Sequence, residues 1–323
     1  MRVGILGAGR IATFMADTLN GMSDCELYAI ASRDIEKAEA FKEKYGAKVV
    51  YGSYEEMLSD EKVELVYIAT PHSHHYEQMK MCIEHQKPVL CEKSFTMNEA
   101  QALDIKYLAA AKGVFVTEAV WPRYMPSRKM IDKVISSGIV GKISQVTCNL
   151  SYDIDDKERI AEPALAGGAL LDVGIYGLDF LFMHLGTNVK NISSSVLLTD
   201  KGVDGMETIT ITFKSGVMAV ATHGIYGRSD RKGIFYGEKG YIVVENINNP
   251  RCIDVFNDSD ELLEHIDVPK QITGYEYEVA ECKRCIEAGK IVSESMPLDD
   301  TLFTMGVMDK LRKDWGVKFP GEE

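Results

Sequence analysis

The sequence predicts an α/β protein with a doubly wound parallel sheet in its first domain and an α+β second domain built on a large, mostly antiparallel sheet. The chain of 323 residues is longer than one hydrophobic core usually organises, so two domains are expected. Its first third alternates short apolar runs with amphipathic stretches, as strand–helix–strand units do. Its later part joins strand-like runs through glycine-containing turns, which indicates antiparallel connections.

The first domain is predicted to span residues 1–120. Short apolar runs bounded by Gly, Ser or Pro suit strands that are buried on both faces of a parallel sheet. These runs are Arg2–Leu6, Cys25–Ala31, Val63–Ala69, Val89–Cys91 and Val114–Thr117. The amphipathic stretches between them predict helices over Ile11–Leu19, Ile35–Tyr45, Ser73–His85 and Met97–Lys112.

The second domain is predicted to span residues 121–323. The expected strands are Ile143–Tyr152, Ile192–Leu198, Thr208–Phe213, Val217–His223, Gly233–Gly237 and Tyr241–Glu245. The expected helices are Ser127–Ser137, Gly168–Leu185, Glu276–Ala288 and Asp299–Trp315. Thr208–Phe213 alternates Thr with apolar residues, so the sheet should have one apolar and one Thr-rich face. A homodimer could use that face, although a monomer with a solvated Thr-rich face is the alternative.

Charge and composition argue against two kinds of partner. A formal net charge of −13 repels a phosphate backbone, and no run of Lys and Arg counters it, so nucleic acid is not expected. The opening MRVGILGAGR lacks the charged and apolar regions of a signal peptide. No later apolar stretch is expected to reach membrane-spanning length. We therefore expect a cytoplasmic protein without a membrane partner.

The cysteines and histidines do not predict a metal site. The seven cysteines are scattered through apolar segments, which suits reduced, buried thiols. Cys282 and Cys285 form a CxxC without a second pair of ligands, whereas structural zinc needs four. His72, His74 and His75 lack the i, i+4 spacing of a zinc-binding helix.

The stretch VGILGAGRIA, residues 3–12, carries a dinucleotide-binding fingerprint. Gly7 and Gly9 directly follow a predicted strand, and the next helix is expected from Ile11. Gly7, Gly9, Arg10 and Ile11 are therefore candidate cofactor-binding residues. Glycines permit the tight turn and the close approach of a pyrophosphate, while the small Ala12 lets helix and strand pack. In this strand–turn–helix context the motif predicts a Rossmann domain that binds a dinucleotide.

The end of the second strand indicates which dinucleotide is bound. An NAD site usually has an acidic residue there, but the sequence reads Ala31-Ser32-Arg33-Asp34. Ser32 and Arg33 suit the 2′-phosphate of NADP, and Asp34 could simply cap the following helix. In the alternative, Arg33 is a solvated loop residue and Asp34 confers a preference for NAD.

Further motifs support a resemblance to a known family. They are ATPH at 69–72 with His75, CEK at 91–93, EAVW at 118–121 with Arg123, and GGALLD at 167–172 with Tyr176. With GAGRIA they resemble the glucose-fructose oxidoreductase/inositol dehydrogenase (Gfo/Idh/MocA) family over nearly the whole chain. Within it, the chain is most similar to dimeric dihydrodiol dehydrogenases and NADP-dependent sugar dehydrogenases, which implies a dimer.

A hydride transfer at a hydroxyl carbon needs a group that exchanges the hydroxyl proton, and Tyr176 is the candidate. A phenol with a pKa of about 10 needs a neighbouring ammonium, and Lys93 at the end of a parallel strand could supply it. Asp172 lies four residues before Tyr176, hence on the same face of a helix, and could orient Lys93 or the substrate. The resemblance implies the same three residues. The alternative is that Tyr176 and Asp172 are structural.

The resemblance also implies further cofactor contacts. The residues concerned are Thr70, His72, His75, Glu92, Lys93, Trp121 and Arg123. Trp121 and Arg123 resemble family residues that pack against the nicotinamide and the phosphate region, and an interdomain packing role is the alternative. Ser94 stands where the family usually has a proline, so the peptide bond before it is either trans or a rarer non-proline cis bond.

The expected function is therefore that of an NADP(H)-preferring oxidoreductase, with NAD possible, acting on a sugar, polyol or trans-dihydrodiol-like substrate. One alternative is a catalytically silent NADP-binding regulator. Another is an enzyme that uses bound cofactor transiently during hydrolysis or elimination. Fold analogy does not identify the substrate, and Tyr152, Asp153 and His223 are candidates for contacts with it.

Overall fold

The computed structural model describes residues 1–322 and divides the chain into two compact units. The first unit comprises Met1–Tyr124 and Gln271–Met305, and the second comprises Met125–Lys270 with the chain from Gly306 onward. The sequence placed everything after residue 120 in one second domain. Residues 271–305 instead pack with the first unit, and no local pattern signals such a return.

The first unit contains a parallel six-stranded sheet with the order β3-β2-β1-β4-β5-β6. Its strands, β1 to β6, are Arg2–Leu6, Glu26–Ala31, Val49–Tyr51, Leu65–Ile68, Val89–Glu92 and Val116–Ala119. Helices α1 to α5 are Arg10–Gly21, Ile35–Tyr45, Tyr54–Leu58, His72–Glu84 and Glu99–Lys112, and a 3₁₀ turn covers Trp121–Arg123. The predicted doubly wound parallel sheet is confirmed.

Strand β3 and helix α3 were missed by the sequence analysis because they are short, at three and five residues, and carry no extended periodic pattern. The longer helices have recognisable ends. Asp34 caps α2 by accepting from the Lys37 N–H, and α2 ends at Gly46 in the left-handed conformation, with φ of 83°.

The second unit contains an eight-stranded sheet with the order β14-β13-β12-β11-β7-β10-β9-β8, in which only β7 and β10 pair in parallel. Strands β7 to β14 are Ile143–Ser151, Val189–Leu198, Asp204–Phe213, Met218–Gly224, Gly233–Gly237, Gly240–Val244, Cys252–Asn257 and Leu262–Asp267. The mostly antiparallel sheet is confirmed. β13 and β14 were not predicted.

The helices of the remaining chain, α6 to α10, are Pro126–Ser137, Glu158–Ala161, Ile175–Leu185, Glu276–Glu287 and Leu298–Trp315. A 3₁₀ turn covers Pro163–Leu165, and Leu170–Gly174 is π-helical. The predicted helix Gly168–Leu185 is therefore not one regular α-helix. Gly168 has a φ of 113°, which a helix interior does not accommodate, and the Leu170 N–H donates to Asp204 Oδ2 at 2.5 Å.

The sheet of the second unit has the expected two faces. Along β9, Ile209, Ile211 and Phe213 are buried, while the Thr residues between them are exposed or partly exposed. Helix α8 and the π-helical turn pack against β7 and β10 on the buried side. The other face carries the Thr side chains with Met206 and Met218, which are exposed.

One segment, Pro163–Leu185, is long and apolar enough to span a membrane by length and composition, which the sequence analysis did not expect. Nearly all of its most apolar window is buried inside the structure. We therefore interpret it as a core segment of the second unit. Its hydrophobicity reflects its burial against the sheet.

Candidate functional site

The turn between β1 and α1 has the geometry of a dinucleotide cradle. Gly7 has a φ of 100°, and a Cβ atom there would lie 2.8 Å from Thr70 Cγ2 and 3.1 Å from the Ala69 carbonyl oxygen. Only glycine fits such a position without strain. Gly9 is the N-cap of α1, with no side-chain cap and no acidic residue in the first turn. The first N–H groups of α1 are thus suited to an anion.

A cleft of about 420 Å³ opens at this turn. It is lined by the glycine turn, by the end of β2 and the start of α2, and by the end of β4. An adjoining cleft of about 390 Å³ shares two of the same lining residues, Arg33 and Tyr54. Of the predicted cofactor residues, the structure brings together Gly7, Gly9, Ser32, Arg33 and Thr70.

Lys37 and Tyr54 also line the first cleft and were missed by the sequence analysis. The signal for Lys37 was available, because it lies in the first turn of the helix that follows Arg33. Asp34 Oδ1 accepts from the Lys37 N–H at 3.3 Å, and its other oxygen lies 3.3 Å from Lys37 Nζ. Asp34 therefore acts as a helix cap beside two cations, which fits a phosphate better than a ribose hydroxyl.

Two other predicted residues lie in the first turn of α1. Arg10 is exposed, with its guanidinium carbon 5.9 Å from the centroid of the Phe14 ring, and Ile11 is partly exposed. Their backbone N–H groups belong to the free N-terminus of the helix. A contact with the pyrophosphate would therefore come from the main chain.

His75 has a different position from the one expected. It is fully buried, with Nδ1 2.9 Å from the Ser94 carbonyl oxygen and Nε2 2.8 Å from the Thr70 carbonyl oxygen. Burial lowers the pKa of its imidazole to about 4. His75 lines neither cleft, and its neutral ring can donate to only one of these two carbonyls, which belong to the loops after β4 and β5. The predicted imidazole contact with the cofactor is thus corrected to a positioning contact, because both ring nitrogens face main-chain carbonyls.

His72 starts α4 and is buried, and its ring meets that of His75 edge-on at 5.8 Å. Glu92 is buried at the end of β5, where it accepts hydrogen bonds from the Tyr67 hydroxyl and, at 3.2 Å, from the Lys93 N–H. Lys93 is partly exposed, and the Lys93–Ser94 peptide bond is cis. Of the two alternatives for Ser94, the cis bond is therefore the one observed.

Trp121 and Arg123 both have partners from the returning segment of the first unit. Trp121 stacks on Tyr275 with ring centroids 4.5 Å apart, and Arg123 Nη1 lies 2.5 Å from Asp300 Oδ2. The Arg123 side chain is only 1% exposed. The expected contact of Arg123 with the phosphate region is corrected, because its guanidinium is buried in an ion pair that the sequence could not reveal. Its partner belongs to the same unit, so this ion pair is not the interdomain packing given as the alternative.

Asp172 and Tyr176 lie in the second unit. Asp172 is buried in the π-helical turn, where its Oδ1 is 2.5 Å from Arg159 Nη1, and Tyr176 is partly exposed at the start of α8. Their four-residue spacing spans a π-helical turn and the start of an α-helix, not one α-helical turn. Sequence reasoning missed Arg159, which lies outside the motif.

Beneath this segment, β9 and β10 contribute a fully buried polar cluster of Asp204, Glu207 and His223. His223 Nδ1 lies 3.2 Å from Glu207 Oε1, and a Cβ atom on Gly177 would fall 1.9 Å from His223 Nε2. Burial raises the pKa of Glu207 to about 8 and that of Asp204 to about 7, and lowers that of His223 to about 3. His223 therefore packs under α8, and its predicted substrate contact is corrected.

The two other candidates for substrate contacts are more exposed than His223. Tyr152 is partly exposed, with its hydroxyl 3.5 Å from Asn248 Nδ2, and Asp153 is exposed and pairs with Tyr226 through the main chain. A contact with substrate stays a prediction for both residues.

Comparisons with known proteins match both parts of the chain. Residues 1–120 match a family model described as "Oxidoreductase family, NAD-binding Rossmann fold". Residues 129–243 match the GFO/IDH/MocA C-terminal domain.

Similar proteins cover almost the full length. A trans-1,2-dihydrobenzene-1,2-diol dehydrogenase of Mus musculus is 29% identical, over 100% of this chain and 99% of that protein. A D-xylose 1-dehydrogenase (NADP(+)) of Hypocrea jecorina is 30% identical, over 99% and 93%. Among solved structures, a 3-ketoreductase from Actinomadura kijaniata, in complex with NADP and TDP-benzene, has a TM-score of 0.88 at 23% identity, with 97% of each chain covered. This structure supports the fold.

Proposed function

Because this chain belongs to the Gfo/Idh/MocA oxidoreductase family, we propose that it transfers a hydride between NADP(H) and a hydroxyl-bearing carbon of a sugar, polyol or trans-dihydrodiol-like substrate. The observation that carries the proposal is the cleft at the β1–α1 turn, where a glycine cradle and a free helix N-terminus stand beside Arg33 and Lys37. The names of the dihydrodiol and xylose dehydrogenases support the substrate class.

The residues of the cleft fit NADP. The Gly7 turn and the N–H groups at the start of α1 would hold the pyrophosphate, since a side chain at Gly7 would fill the space and an acidic first turn would repel it. Ser32, Arg33 and Lys37 would hold the 2′-phosphate. When bound, the nicotinamide ring supplies the hydride acceptor or donor.

Tyr176 is proposed as the acid or base that exchanges the substrate hydroxyl proton, with Lys93 as its helper and Asp172 as an orienting carboxylate. The chemistry supports these roles, because an adjacent ammonium stabilises a phenolate and so eases proton removal near neutral pH. The ion pair of Asp172 with Arg159 supports a fixed carboxylate. The family resemblance supports the choice of these three residues.

We further propose a cytoplasmic homodimer. The Thr-rich face of the second sheet carries Met206, Met218 and Leu197 exposed among its Thr side chains, which suits contact with a second copy better than full hydration.

The test of the function is a titration of the full chain with NADP⁺ and NAD⁺ by intrinsic fluorescence, followed by turnover of aldoses, inositols and dihydrodiols read as NADPH absorbance. We expect tighter binding of NADP⁺, stoichiometric NADPH and product, and a loss of kcat of about 100-fold or more in Tyr176→Phe and in Lys93→Met. Tyr107→Phe and Lys62→Met are matched controls on exposed residues.

Either of two other outcomes would replace the proposal. Tight NADP⁺ binding without turnover of any substrate would indicate the silent regulator. Product without accumulating NADPH would indicate transient use of the cofactor in hydrolysis or elimination.

A further inference from the structure

The hairpin β13–β14 brings four side chains with metal-binding chemistry to one face. Cys252 pairs with Asp267 across the two strands, and Asp254 pairs with His265. In each strand, one residue separates the two ligand-type residues. In β13 this residue is Ile253, which is fully buried. Side chains alternate across a strand, so all four ligand-type residues lie on the face opposite Ile253.

The ligand atoms already approach the separation that one ion requires. Sγ of Cys252, a carboxylate oxygen of Asp254 and a ring nitrogen of His265 all lie within 4.8 Å of one another. Four-coordinate zinc, with bonds of roughly 2.0 to 2.3 Å, holds its ligands about 3.3 to 3.8 Å apart. The register of the strands fixes the four Cα positions, so the remaining approach would come from the side chains.

His265 has the arrangement of a metal-binding histidine. Its Nδ1 lies 2.5 Å from Asp254 Oδ1, and its Nε2 lies 3.3 Å from Asp267 Oδ1. When a histidine binds a metal through one nitrogen, the other N–H usually donates to a carboxylate that fixes the ring. Asp267 stands in that position.

We propose that Cys252, Asp254 and His265 bind one divalent metal ion of the zinc type, with Asp267 holding the second nitrogen of His265. A thiolate with an imidazole and a carboxylate favours Zn²⁺ or Co²⁺ over Mg²⁺ and Ca²⁺, which prefer oxygen ligands. Three protein ligands leave a fourth position for water or another small ligand. The site is separate from the residues proposed for NADP binding and catalysis, so it does not depend on that function.

Ion pairing of His265 with the aspartates, without a metal ion, explains less of the geometry of this cluster than a metal site does. A protonated His265 between two carboxylates accounts for the histidine and the aspartates, but it gives the thiol no part. Six of the seven cysteines are buried, and Cys252 is the one that is partly exposed. Within residues 1–322, this is also the one group of three or more His, Cys, Asp or Glu side chains with ligand atoms this close.

The experiment titrates the full chain, first stripped with a chelator, with Co²⁺ and follows the thiolate-to-cobalt absorption band, with Zn²⁺ as competitor. We expect one ion per chain, displaced by Zn²⁺. Cys252→Ser should abolish the band, and His265→Asn and Asp254→Asn should each weaken binding at least about tenfold. Asp267→Asn should weaken it about 10- to 100-fold, the range for a carboxylate behind a ligand.

The matched control is Asp258→Asn, an exposed carboxylate in the turn of the same hairpin, which should bind as the unaltered chain does. Circular dichroism of the metal-free variants checks that each is folded. No Co²⁺ binding by the unaltered chain, a band that persists in Cys252→Ser, or equal weakening in Asp258→Asn would overturn the proposal.

Discussion

At the scale of single residues, Asp34 and Arg33 at the end of β2 have different roles: Asp34 caps α2, and Arg33 lines the cleft. Asp34 is held by the N-terminus of α2 and by Lys37, while Arg33 is exposed in the cleft. An aspartate engaged in capping has less freedom to accept a bond from a ribose hydroxyl, and two adjacent cations attract a phosphate. The proposed preference for NADP would therefore depend on these few side chains.

Replacing Arg33 should change the choice of coenzyme. In Arg33→Ala we expect the Kd for NADP⁺ to rise about 10- to 100-fold, because a charged hydrogen bond to phosphate is lost, with a much smaller change for NAD⁺. Fluorescence titration with both coenzymes measures it, and Lys62→Ala is the control for removing an exposed cation. Equal weakening of both coenzymes would contradict the assignment of Arg33 to the 2′-phosphate.

Glu207 should make stability depend on pH. Burial raises its pKa to about 8 in the folded chain, from about 4.3 when unfolded. Between these values the unfolded chain releases the proton and the folded chain keeps it, so the free energy of unfolding falls as pH rises through that window. The stability that Glu207 contributes is fully present below its unfolded pKa of about 4.3 and is lost once the pH exceeds its folded pKa of about 8.

In Glu207→Gln, which cannot ionise, we expect a smaller fall in unfolding free energy between pH 5.5 and about 8.5 than in the unaltered chain. Urea unfolding at several pH values measures the difference. Glu264→Gln, an exposed glutamate on β14, should leave the pH dependence as it was. The same slope in Glu207→Gln would show that Glu207 does not carry a raised pKa.

At the scale of elements, α8 and the π-helical turn approach the sheet closely because glycines face the polar cluster. A Cβ atom would fall 2.6 Å from Glu207 Oε1 at Gly174, and 2.4 Å from Asp204 Oδ1 at Gly168. This packing fixes the segment that carries Asp172 and Tyr176. The helix pattern in the sequence predicts the length of the segment. Its π-helical start instead depends on contacts with β9, about 30 residues later in the chain.

Gly177→Ala should destabilise the fold although alanine favours helices. Its Cβ would meet the fully buried ring of His223 at 1.9 Å, so the helix or the ring must move, at a cost of about 1–3 kcal/mol. Chemical unfolding measures this cost. Gly227→Ala is the control, because nothing lies within 4 Å of a Cβ there and its backbone is unstrained. An unchanged or higher stability in Gly177→Ala would contradict the packing argument.

At the scale of the whole molecule, the second sheet has an open face, and its Thr-rich part lies on β9 and β10. Val220 is partly exposed there and pairs with Thr210 on the neighbouring strand. The proposed dimer would cover the part of this face on β9 and β10, and these two strands would then be buried on both sides.

Val220→Glu should disrupt that dimer, because a charge would be buried at the interface without a partner. Sedimentation velocity should give about twice the chain mass of 35.9 kDa for the unaltered protein and a single chain mass for the variant. Lys239→Glu, in an exposed turn, is the control and should remain dimeric. A monomeric unaltered protein would favour the solvated Thr-rich face.

The sequence by itself determined the class of fold, most of the helices and strands, and the glycine turn with Arg33. These are encoded locally: hydrophobic periodicity sets each element, and a φ of 100° at Gly7 requires glycine wherever the turn occurs. The short elements β3 and α3 and the last two strands of the second sheet, β13 and β14, lacked such a signal, so they were not predicted.

Only the tertiary structure decided which distant side chains meet. Residues 271–305 return to the first unit and bury Arg123 against Asp300. His75 lies outside the cleft, where its ring nitrogens face main-chain carbonyls of two loops. The hairpin register alone brings Cys252 next to His265. Such contacts join residues far apart in the chain, and the free energy of burying and pairing them depends on the assembled core, which no local pattern specifies.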